Sequence, residues 1–222
     1  MYTINYKPSF ADLEIPQAMR ERADVLFFKK GQIVYQEGST PLGAYFVDSG
    51  QVKISMLGSL GKEKIVKIVT DSELLCFSDL FSHRRYSTSA QAMEETSLLF
   101  ISKRDFWEVL NDRRDIFLSL LWRLSEQIKV VQETITDLAY KPVRGRLADA
   151  ILNLNNKIKG KDLEYQSISL TRADLAGYVG TVKETVNRLL SELREEKIIS
   201  TSGSRIVIRD MDKLIRISEM YN

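Results

Sequence analysis

The first hundred residues carry the hydrophobic pattern of short β-strands. Residues 52–56 alternate apolar and polar side chains, and further short apolar runs lie at 27–35, 45–47, 64–69 and 97–101. Turn sequences that contain glycine, such as Glu37-Gly38-Ser39, separate several of these runs. Strands this short and this closely spaced are typical of an antiparallel barrel or jelly roll rather than of β-α-β units.

The apolar period becomes helical between Arg104 and Leu138. Apolar residues there follow a 4-3-4-3-4-3 spacing that neither Gly nor Pro interrupts: Phe117, Leu121, Leu124, Ile128, Val131, Ile135 and Leu138. This spacing predicts a two-stranded coiled coil, in which the helix pairs with the same helix of a second chain. The alternative is a helix packed only on its own β-domain, with a wider stripe. Leu118 and Leu120 widen the first part of the stripe, so we expect that end to contact the β-domain as well.

The last third of the chain predicts two short helices joined by a tight turn. Thr171-Arg172-Ala173-Asp174 fits a capping box, and the helix that it opens ends at Gly180. A second box, Thr181-Val182-Lys183-Glu184, predicts that the next helix begins near Thr181. Ala176 and Gly180 are small enough to let the two helices cross closely, as a helix-turn-helix requires.

The second of these helices has two faces at about 100° per residue. Its apolar side is predicted to be buried and consists of Val182, Val186, Leu189, Leu190 and Leu193. The opposite side carries residue types that recognise base edges in the major groove: Lys183, Glu184, Asn187, Arg188 and Ser191. The alternative is a solvated face on which Glu184 completes the capping box and pairs with Arg188.

A β-hairpin with a small polar tip follows this helix. Apolar runs at 198–200 and 205–208 flank the tip residues 201–204. The hairpin is the expected wing of a winged helix, and Ser202, Ser204 and Arg205 are candidates for contacts with phosphates. Because the wing follows two helix-turn signals, the pattern favours DNA binding over a merely solvated helix.

The division of charge agrees with that assignment. Residues 1–138 carry 17 Lys+Arg and 19 Asp+Glu, a net charge of −2. Residues 139–222 carry 15 Lys+Arg and 11 Asp+Glu, a net charge of +4. We therefore expect the C-terminal part, rather than the N-terminal part, to bind the negatively charged DNA.

The amino-acid composition limits where in the cell the protein is expected and which metal sites or enzyme activities it could have. No apolar run approaches the roughly 18 residues of a membrane span, and no secretory signal is visible at the N-terminus. A single cysteine, Cys76, cannot form an internal disulfide, so we expect a cytoplasmic protein without a membrane partner. One Cys and one His are too few for a protein-only zinc or iron–sulfur site, and no catalytic motif predicts an enzyme.

With these residues in place, the chain resembles the Crp/Fnr family (cyclic-AMP receptor protein and its relatives) over nearly its full length. The strongest stretch is 170–190, which is similar to the family's Leu-Thr…Ile-Ala…Gly…Arg-Glu-Thr-Val-x-Arg motif. Residues 30–34, Glu37-Gly38 and 45–53 resemble strands and turns of its β-roll. The resemblance implies an α+β fold with three parts: a cyclic-nucleotide-binding-like β-roll sensor with flanking helices (1–113), a dimerisation helix (114–138) and a winged helix-turn-helix (139–222).

The resemblance implies a homodimeric transcription regulator that binds near-palindromic double-stranded DNA, with RNA polymerase as a further partner. Its motif implies base contacts from Lys183, Glu184 and Arg188 and a half-site of the TGTGA type. Lys183 stands where the family usually has Arg, and because a lysine cannot form a bidentate fork, it contacts a base more loosely or binds phosphate. The full set of predicted DNA contacts is Thr171, Thr181, Lys183, Glu184, Asn187, Arg188, Ser202, Ser204 and Arg205.

The predicted effector pocket departs from the family's cyclic-nucleotide pattern. Cys76 and Phe77, followed by Ser78, stand where that pattern has Gly-Glu, and Thr88-Ser89 replaces Arg-Ser. On the long helix, Val131 and Gln132 replace the Thr-Ser pair that contacts the base. A cyclic phosphate without its arginine loses its main charge-assisted contact, so we expect an effector other than cyclic AMP and leave its identity open.

Two further effector alternatives stay open. Arg84 and Arg85 lie near enough in sequence to replace the missing arginine, although an exposed loop is the simpler interpretation. A haem could take Cys76 or His83 as an axial ligand, although a packed cysteine and a solvated histidine are the simpler interpretations.

Effector control is expected to act through a hinge near Asp137 to Tyr140. The competing functions are a ligand-sensing module whose helix-turn-helix contacts protein and, with the least support, an enzyme.

Overall fold

The computed structural model describes residues 15–58, 61–70, 72–75, 77–82, 84–158 and 168–220. The chain divides into two compact units. The first comprises Met1–Met56 and Val66–Lys129, and the second comprises Leu57–Ile65 and Val130–Asn222. In the described ranges, no helix combines the length and the apolar character that crossing a membrane requires.

Two four-stranded antiparallel sheets form the β-roll. Their strands are β1 (Asp24–Phe28), β2 (Ile33–Tyr35), β3 (Gly43–Ser49), β4 (Val52–Leu57), β5 (Glu63–Val69), β6 (Leu74–Leu75), β7 (Ser89–Ala92) and β8 (Thr96–Ser102). One sheet has the order β1-β8-β3-β6 and the other β2-β7-β4-β5. The predicted fold class is confirmed, and the non-sequential strand order is what a roll, rather than a meander, requires.

The composition of the apolar run at 27–35 suggested a single strand, but the structure does not have one there. The run is divided between β1 and β2, which belong to different sheets. Gly31 lies between them with φ +85°, a left-handed conformation that glycine adopts without steric cost. The hydrophobic pattern predicted the extended residues correctly and missed the turn.

Short helices pack on the β-roll and close its core. They are α1 (Gln17–Arg20), α2 (Phe77–Ser82) and α3 (Lys103–Asp112). The α3 helix begins after Ser102, whose Oγ accepts a hydrogen bond from the Asp105 backbone N–H at 3.2 Å. Met19, Leu80 and Phe106, one from each helix, are fully buried in one cluster with Phe46 of β3. This apolar cluster fixes the helices to the sheet.

The long helix α4 (Arg114–Tyr140) changes its surroundings along its length. Ile116 and Leu120 are buried in the core of the first unit, and Phe117 and Leu124 pack against that core. This agrees with the expectation that the beginning of the stripe contacts the β-domain. The hinge expected near Asp137 to Tyr140 stays a prediction: these residues form the last turn of α4, and the helix is interrupted next to them, at Lys141 and Pro142.

The second unit is a winged helical domain. Its elements after α4 are α5 (Val143–Ile158), β9 (Ile168–Ser169), α6 (Arg172–Val179), α7 (Lys183–Glu195), β10 (Ile199–Ser202), β11 (Arg205–Ile208) and α8 (Met211–Glu219). The three strands form a small sheet of order β10-β11-β9. Leu147, Leu175, Leu193 and Leu214, one from each of the four helices, are fully buried. These apolar faces hold α6 and α7 in a helix-turn-helix.

Candidate nucleic-acid interface

The first helix of the motif begins as its capping box predicts. Thr171 is the N-cap of α6, and its Oγ1 accepts a hydrogen bond from the Asp174 backbone N–H at 3.0 Å. The Thr171 hydroxyl in turn donates to Asp174 Oδ2 at 2.5 Å. These two hydrogen bonds fix the Thr171 hydroxyl and the Asp174 carboxylate at the N-terminus of α6, where the helix dipole favours a negative charge.

The turn between the helices needs glycine at position 180. Gly180 has φ +76° and ends α6, and its N–H and that of Thr181 both donate to Ala176 O, at 2.9 and 3.0 Å. A Cβ at Gly180 would lie 2.9 Å from Leu138 Cδ2. The left-handed backbone conformation therefore favours glycine here, and a Cβ would also require the end of the Leu138 side chain to shift.

The second helix begins differently from its prediction. Its N-cap is Val182 rather than Thr181, and no side chain caps it. The Thr181 N–H is instead used in the turn, so the second capping box does not form. Val182 is 44% exposed, so its assignment to the buried face is wrong. As the N-cap it lies before the first helical residue, and its side chain therefore does not obey the helical repeat.

The two faces of α7 are otherwise as the period predicts. Val186, Leu189, Leu190 and Leu193 are buried. Lys183, Glu184, Asn187 and Arg188 are exposed on the opposite side, and Ser191 is half-buried. Four side chains of the types that bind base edges thus share the outward face, in the N-terminal half of a rigid helix.

Arg188 is paired, but not with the residue that the sequence suggested. Its Nη1 lies 2.5 Å from Glu192 Oε1, one turn further along α7, and no described ion pair involves Glu184. The interpretation of Glu184 as a capping and pairing residue is therefore wrong on both counts. Glu184 presents its carboxylate to solvent, where it is available to a ligand.

The wing stands beside the beginning of α6. Strands β10 and β11 pair from Ile199↔Ile208 to Ser202↔Arg205, so the turn is only Gly203 and Ser204. Ser202, Ser204 and Arg205 are exposed on the wing, as a role in phosphate contact needs. Strand β9 extends the sheet on the other side by pairing Ser169 with Arg205.

Arg172 holds this wing in place and is not among the predicted site residues. Its Nη2 donates to Gly203 O at 2.9 Å, while the Leu170 N–H donates to Ser204 O at 3.3 Å. The two turn residues of the wing are thus bonded to the segment that opens α6. Burial lowers the pKa of the Arg172 guanidinium. Nothing in the local pattern marks Arg172, because its partner is 31 residues away.

Cations bind the carbonyl groups at the end of α6. Arg146 donates to Val179 O at 3.2 Å and to Gly180 O at 3.3 Å, and its third contact is Lys141 O at 2.7 Å. Lys64 Nζ donates to Tyr178 O at 2.5 Å. The last carbonyls of a helix lack partners within the helix and carry partial negative charge, so both cations stabilise the turn.

Replacing Lys64 with Met should change the pH dependence of stability. Burial, followed by the positive charge of Arg146, lowers the pKa of Lys64 from its ordinary value of 10.5 to about 8. Between these two values the unfolded chain binds more protons at this group than the folded chain does. Wild-type stability should therefore rise, relative to Lys64→Met, as pH increases from about 8 to 10.5. Urea unfolding of both proteins at pH 7, 9 and 10 measures the difference, and parallel pH profiles would contradict it.

Much of the predicted dimer stripe is exposed within a single chain. Leu121 is 42% exposed, and the residues further along the helix are 60% (Ile128), 50% (Val131), 61% (Ile135) and 41% (Leu138) exposed. Large apolar side chains aligned on one helix face are costly to leave in water. A partner helix of the same kind would cover them.

The predicted effector residues lie in different surroundings. In the first unit, Phe77 is buried in the core, Ser78 is exposed, and Thr88 and Ser89 are half-buried. Thr88 Oγ1 lies 3.4 Å from Tyr35 Oη, and Ser89 Oγ accepts from the Glu37 N–H at 2.9 Å. In the second unit, Val131 and Gln132 are exposed. Cys76 and His83, the two candidate haem ligands, lie outside the described residues.

Aromatic rings occupy the β-roll beside Thr88. The Tyr35 ring stacks on Tyr86 with centroids 4.2 Å apart and on Tyr45 at 6.1 Å. Of the two arginines considered as substitutes for the missing phosphate ligand, Arg85 donates from Nη1 to Gly38 O at 2.8 Å, and Arg84 is exposed.

Comparison with known proteins agrees with the two units. Residues 25–113 match the cyclic nucleotide-binding domain, and residues 145–217 match the Crp-like helix-turn-helix domain. The anaerobic regulatory protein of Pasteurella multocida is 30% identical over 193 residues, which are 86% of this chain and 70% of that protein. The CRP-like cAMP-activated global transcriptional regulator of Mycobacterium tuberculosis is 25% identical over 201 residues, 90% of either chain.

The fold has close structural relatives. FixK2 from Bradyrhizobium japonicum superposes with a TM-score of 0.78 at 22% identity, over 88% of this chain and 96% of that one. At this identity the likeness supports the fold, while the family follows from the sequence matches. With a cyclic nucleotide-binding domain followed by a DNA-binding helix-turn-helix, the chain belongs to the Crp/Fnr family of transcription regulators.

Proposed function

We propose that the chain binds a near-palindromic DNA site as a homodimer and places one α7 helix of each subunit in a major groove. The observation that carries this proposal is the face of α7, on which Lys183, Glu184, Asn187 and Arg188 point outward while the apolar side is buried. Glu184 would accept from a cytosine amino group and Arg188 would donate to guanine, with Asn187 available for adenine. The wing residues Ser202, Ser204 and Arg205, together with Thr171 and Thr181, would bind phosphates and fix the register.

The exposed stripe of α4 supports the dimer. Self-association through this stripe would bring two copies of the α7 helix onto one duplex, in half-sites roughly 34 Å apart. We extend the proposal to three domains, at 1–113, 114–138 and 139–222, in a cytoplasmic protein. RNA polymerase is the proposed protein partner of the DNA-bound dimer, and transcription assays with purified polymerase test that contact.

We infer that cyclic AMP is not the effector. The name of the Mycobacterium relative describes that protein as cAMP-activated, but here Thr88 replaces the family's phosphate-binding arginine and approaches Tyr35 instead. A hydroxyl cannot supply the charge-assisted contact that a cyclic phosphate needs. Native mass spectrometry with an absorption spectrum tests for a co-purified effector, haem included, and calorimetry with cyclic AMP should show no heat of binding.

A salt titration of duplex binding tests the DNA proposal. The duplex is the best binder from a library varied around two inverted TGTGA half-sites, and a scrambled duplex of the same composition is the control. Affinity for both should fall with salt, since Lys and Arg displace counterions, and the cognate duplex should stay the tighter one. Absence of binding to any duplex at low salt would contradict the proposal and favour a protein-binding helix-turn-helix.

Replacing Lys183 with Ala should weaken binding to cognate and scrambled duplexes alike. Lys183 is an exposed point charge at the first turn of α7, suited to a phosphate, so its loss should reduce the slope of log affinity against log salt by about one per subunit. Lys197→Ala, which removes an exposed charge beyond the end of α7, is the control and should have a smaller effect. A loss confined to the cognate duplex would show instead that Lys183 contacts a base.

A further inference from the structure

The side chain of Arg188 is held from within the protein. It is 65% exposed, yet its Nη1 lies 2.5 Å from Glu192 Oε1. The described contacts of the guanidinium use this nitrogen alone, and an arginine has five N–H donors in a rigid planar fork. Donors therefore remain for a base edge while one edge of the fork is held in place.

Glu192 is itself held from the opposite side by another helix. Its Oε2 lies 3.3 Å from Arg144 Nη1, and Arg144 extends from α5. The Nη2 of Arg144 binds both carboxylate oxygens of Glu196, at 2.7 and 2.8 Å. Glu192 is thus placed between two guanidinium groups, and its side chain is 34% exposed against 65% for Arg188. A series of ion pairs, Glu196–Arg144–Glu192–Arg188, thus connects α5 to the outward face of α7.

We propose that Glu192 is a positioning residue for DNA recognition, which selects the conformation in which Arg188 meets its base, and that Arg144 anchors Glu192. This inference rests on the proposed function. A long exposed arginine samples many rotamers, and ordering them opposes binding. Holding the fork in advance reduces that cost, and it favours the one base whose acceptors match the fixed direction. Glu192 therefore contributes to specificity without touching DNA.

Glu192→Ala separates this role from simple charge repulsion. Removing a carboxylate near DNA raises affinity for every duplex if the only effect is electrostatic. Loss of positioning instead lowers the ratio of cognate to scrambled affinity. We expect that ratio to fall about tenfold, within the discrimination that a bidentate arginine supplies, while affinity for scrambled DNA stays level or rises. Arg144→Ala should lower the ratio in the same direction and by less.

Glu195→Ala is the matched control. Glu195 is an exposed acid on the same helix, and no ion pair of the described residues involves it, so its removal should leave the ratio unchanged. Glu192→Ala is also compared in an Arg188→Ala background, where it should no longer change the ratio. Thermal unfolding of each variant confirms that the fold is retained, and Glu192→Gln, which keeps an acceptor, should recover part of the ratio.

Two outcomes overturn the inference. If Glu192→Ala raises affinity for both duplexes by the same factor, or leaves the ratio unchanged, Glu192 is only a counter-ion. If it lowers the ratio equally with and without Arg188, it acts through another residue. In both cases the wild-type chain still binds the cognate duplex, which distinguishes this failure from that of the proposed function. A wild-type chain that binds no duplex overturns both.

Discussion

Replacing Arg188 with Ala should remove most of the preference for one base pair in each half-site. A bidentate arginine–guanine contact supplies about 1–3 kcal/mol of discrimination, which is roughly 5- to 150-fold in the equilibrium constant. The loss should appear as weaker binding to the cognate duplex, with much less change on the scrambled one. Competition titrations against duplexes substituted at each position identify the base pair concerned.

The control for this variant is Arg194→Ala. Arg194 is exposed in the last turn of the same helix, so its removal subtracts the same charge away from the N-terminal half of α7. The Arg194→Ala variant should bind the cognate and the scrambled duplex more weakly by the same factor, because it loses only electrostatic attraction to the DNA phosphates. If Arg188→Ala behaves in the same way as Arg194→Ala, then Arg188 binds phosphate and another residue determines the sequence preference.

Replacing Ile128 with Asp should give a monomer with intact folded units. Ile128 is 60% exposed within one chain, so the substitution removes little internal packing. In a paired helix it would instead place a charge in an apolar seam. Because two linked half-sites reinforce each other, loss of the dimer should weaken binding to the full site by about 10²–10⁴-fold. Sedimentation velocity and the binding titration measure the two effects.

Val130→Asp provides a matched comparison on the same helix. Val130 is 57% exposed, close to Ile128, but at 100° per residue it lies on the opposite face of α4. The same new charge there should leave the dimer and the DNA affinity intact. Dissociation by both variants alike would show that the charge disturbs the helix itself, and dissociation by neither would exclude the stripe as the interface.

Local pattern predicted much of this fold and of the helix-turn-helix. Strand alternation, the long helical stripe and the first capping box depend on residues a few positions apart, which a sequence displays directly. The failures share one cause. Both failures concern the end of an element. The left-handed conformation of Gly31 divides the run at 27–35 into two strands, and Val182 lies just before the first residue of α7, so the repeating pattern was extended too far in both places.

Side-chain partners in the candidate interface could not be predicted in the same way. Glu184 and Glu192 both lie four residues from Arg188, and spacing alone does not choose between them. The structure pairs Arg188 with Glu192, which Arg144, 48 residues upstream, holds from the other side. Arg172 and the wing, like Lys64 and the end of α6, also meet only after the chain has folded.

Local patterns in the sequence predict the main strands and helices, the apolar faces of the helices, and the residue types on the outward face of α7. These properties follow from backbone periodicity and from the burial of apolar side chains, both of which act over a few residues. The start of α7, the carboxylate that pairs with Arg188 and the arginine that contacts the wing became known only from the folded chain. Those choices depend on distances between side chains far apart in the chain, which packing of the core sets.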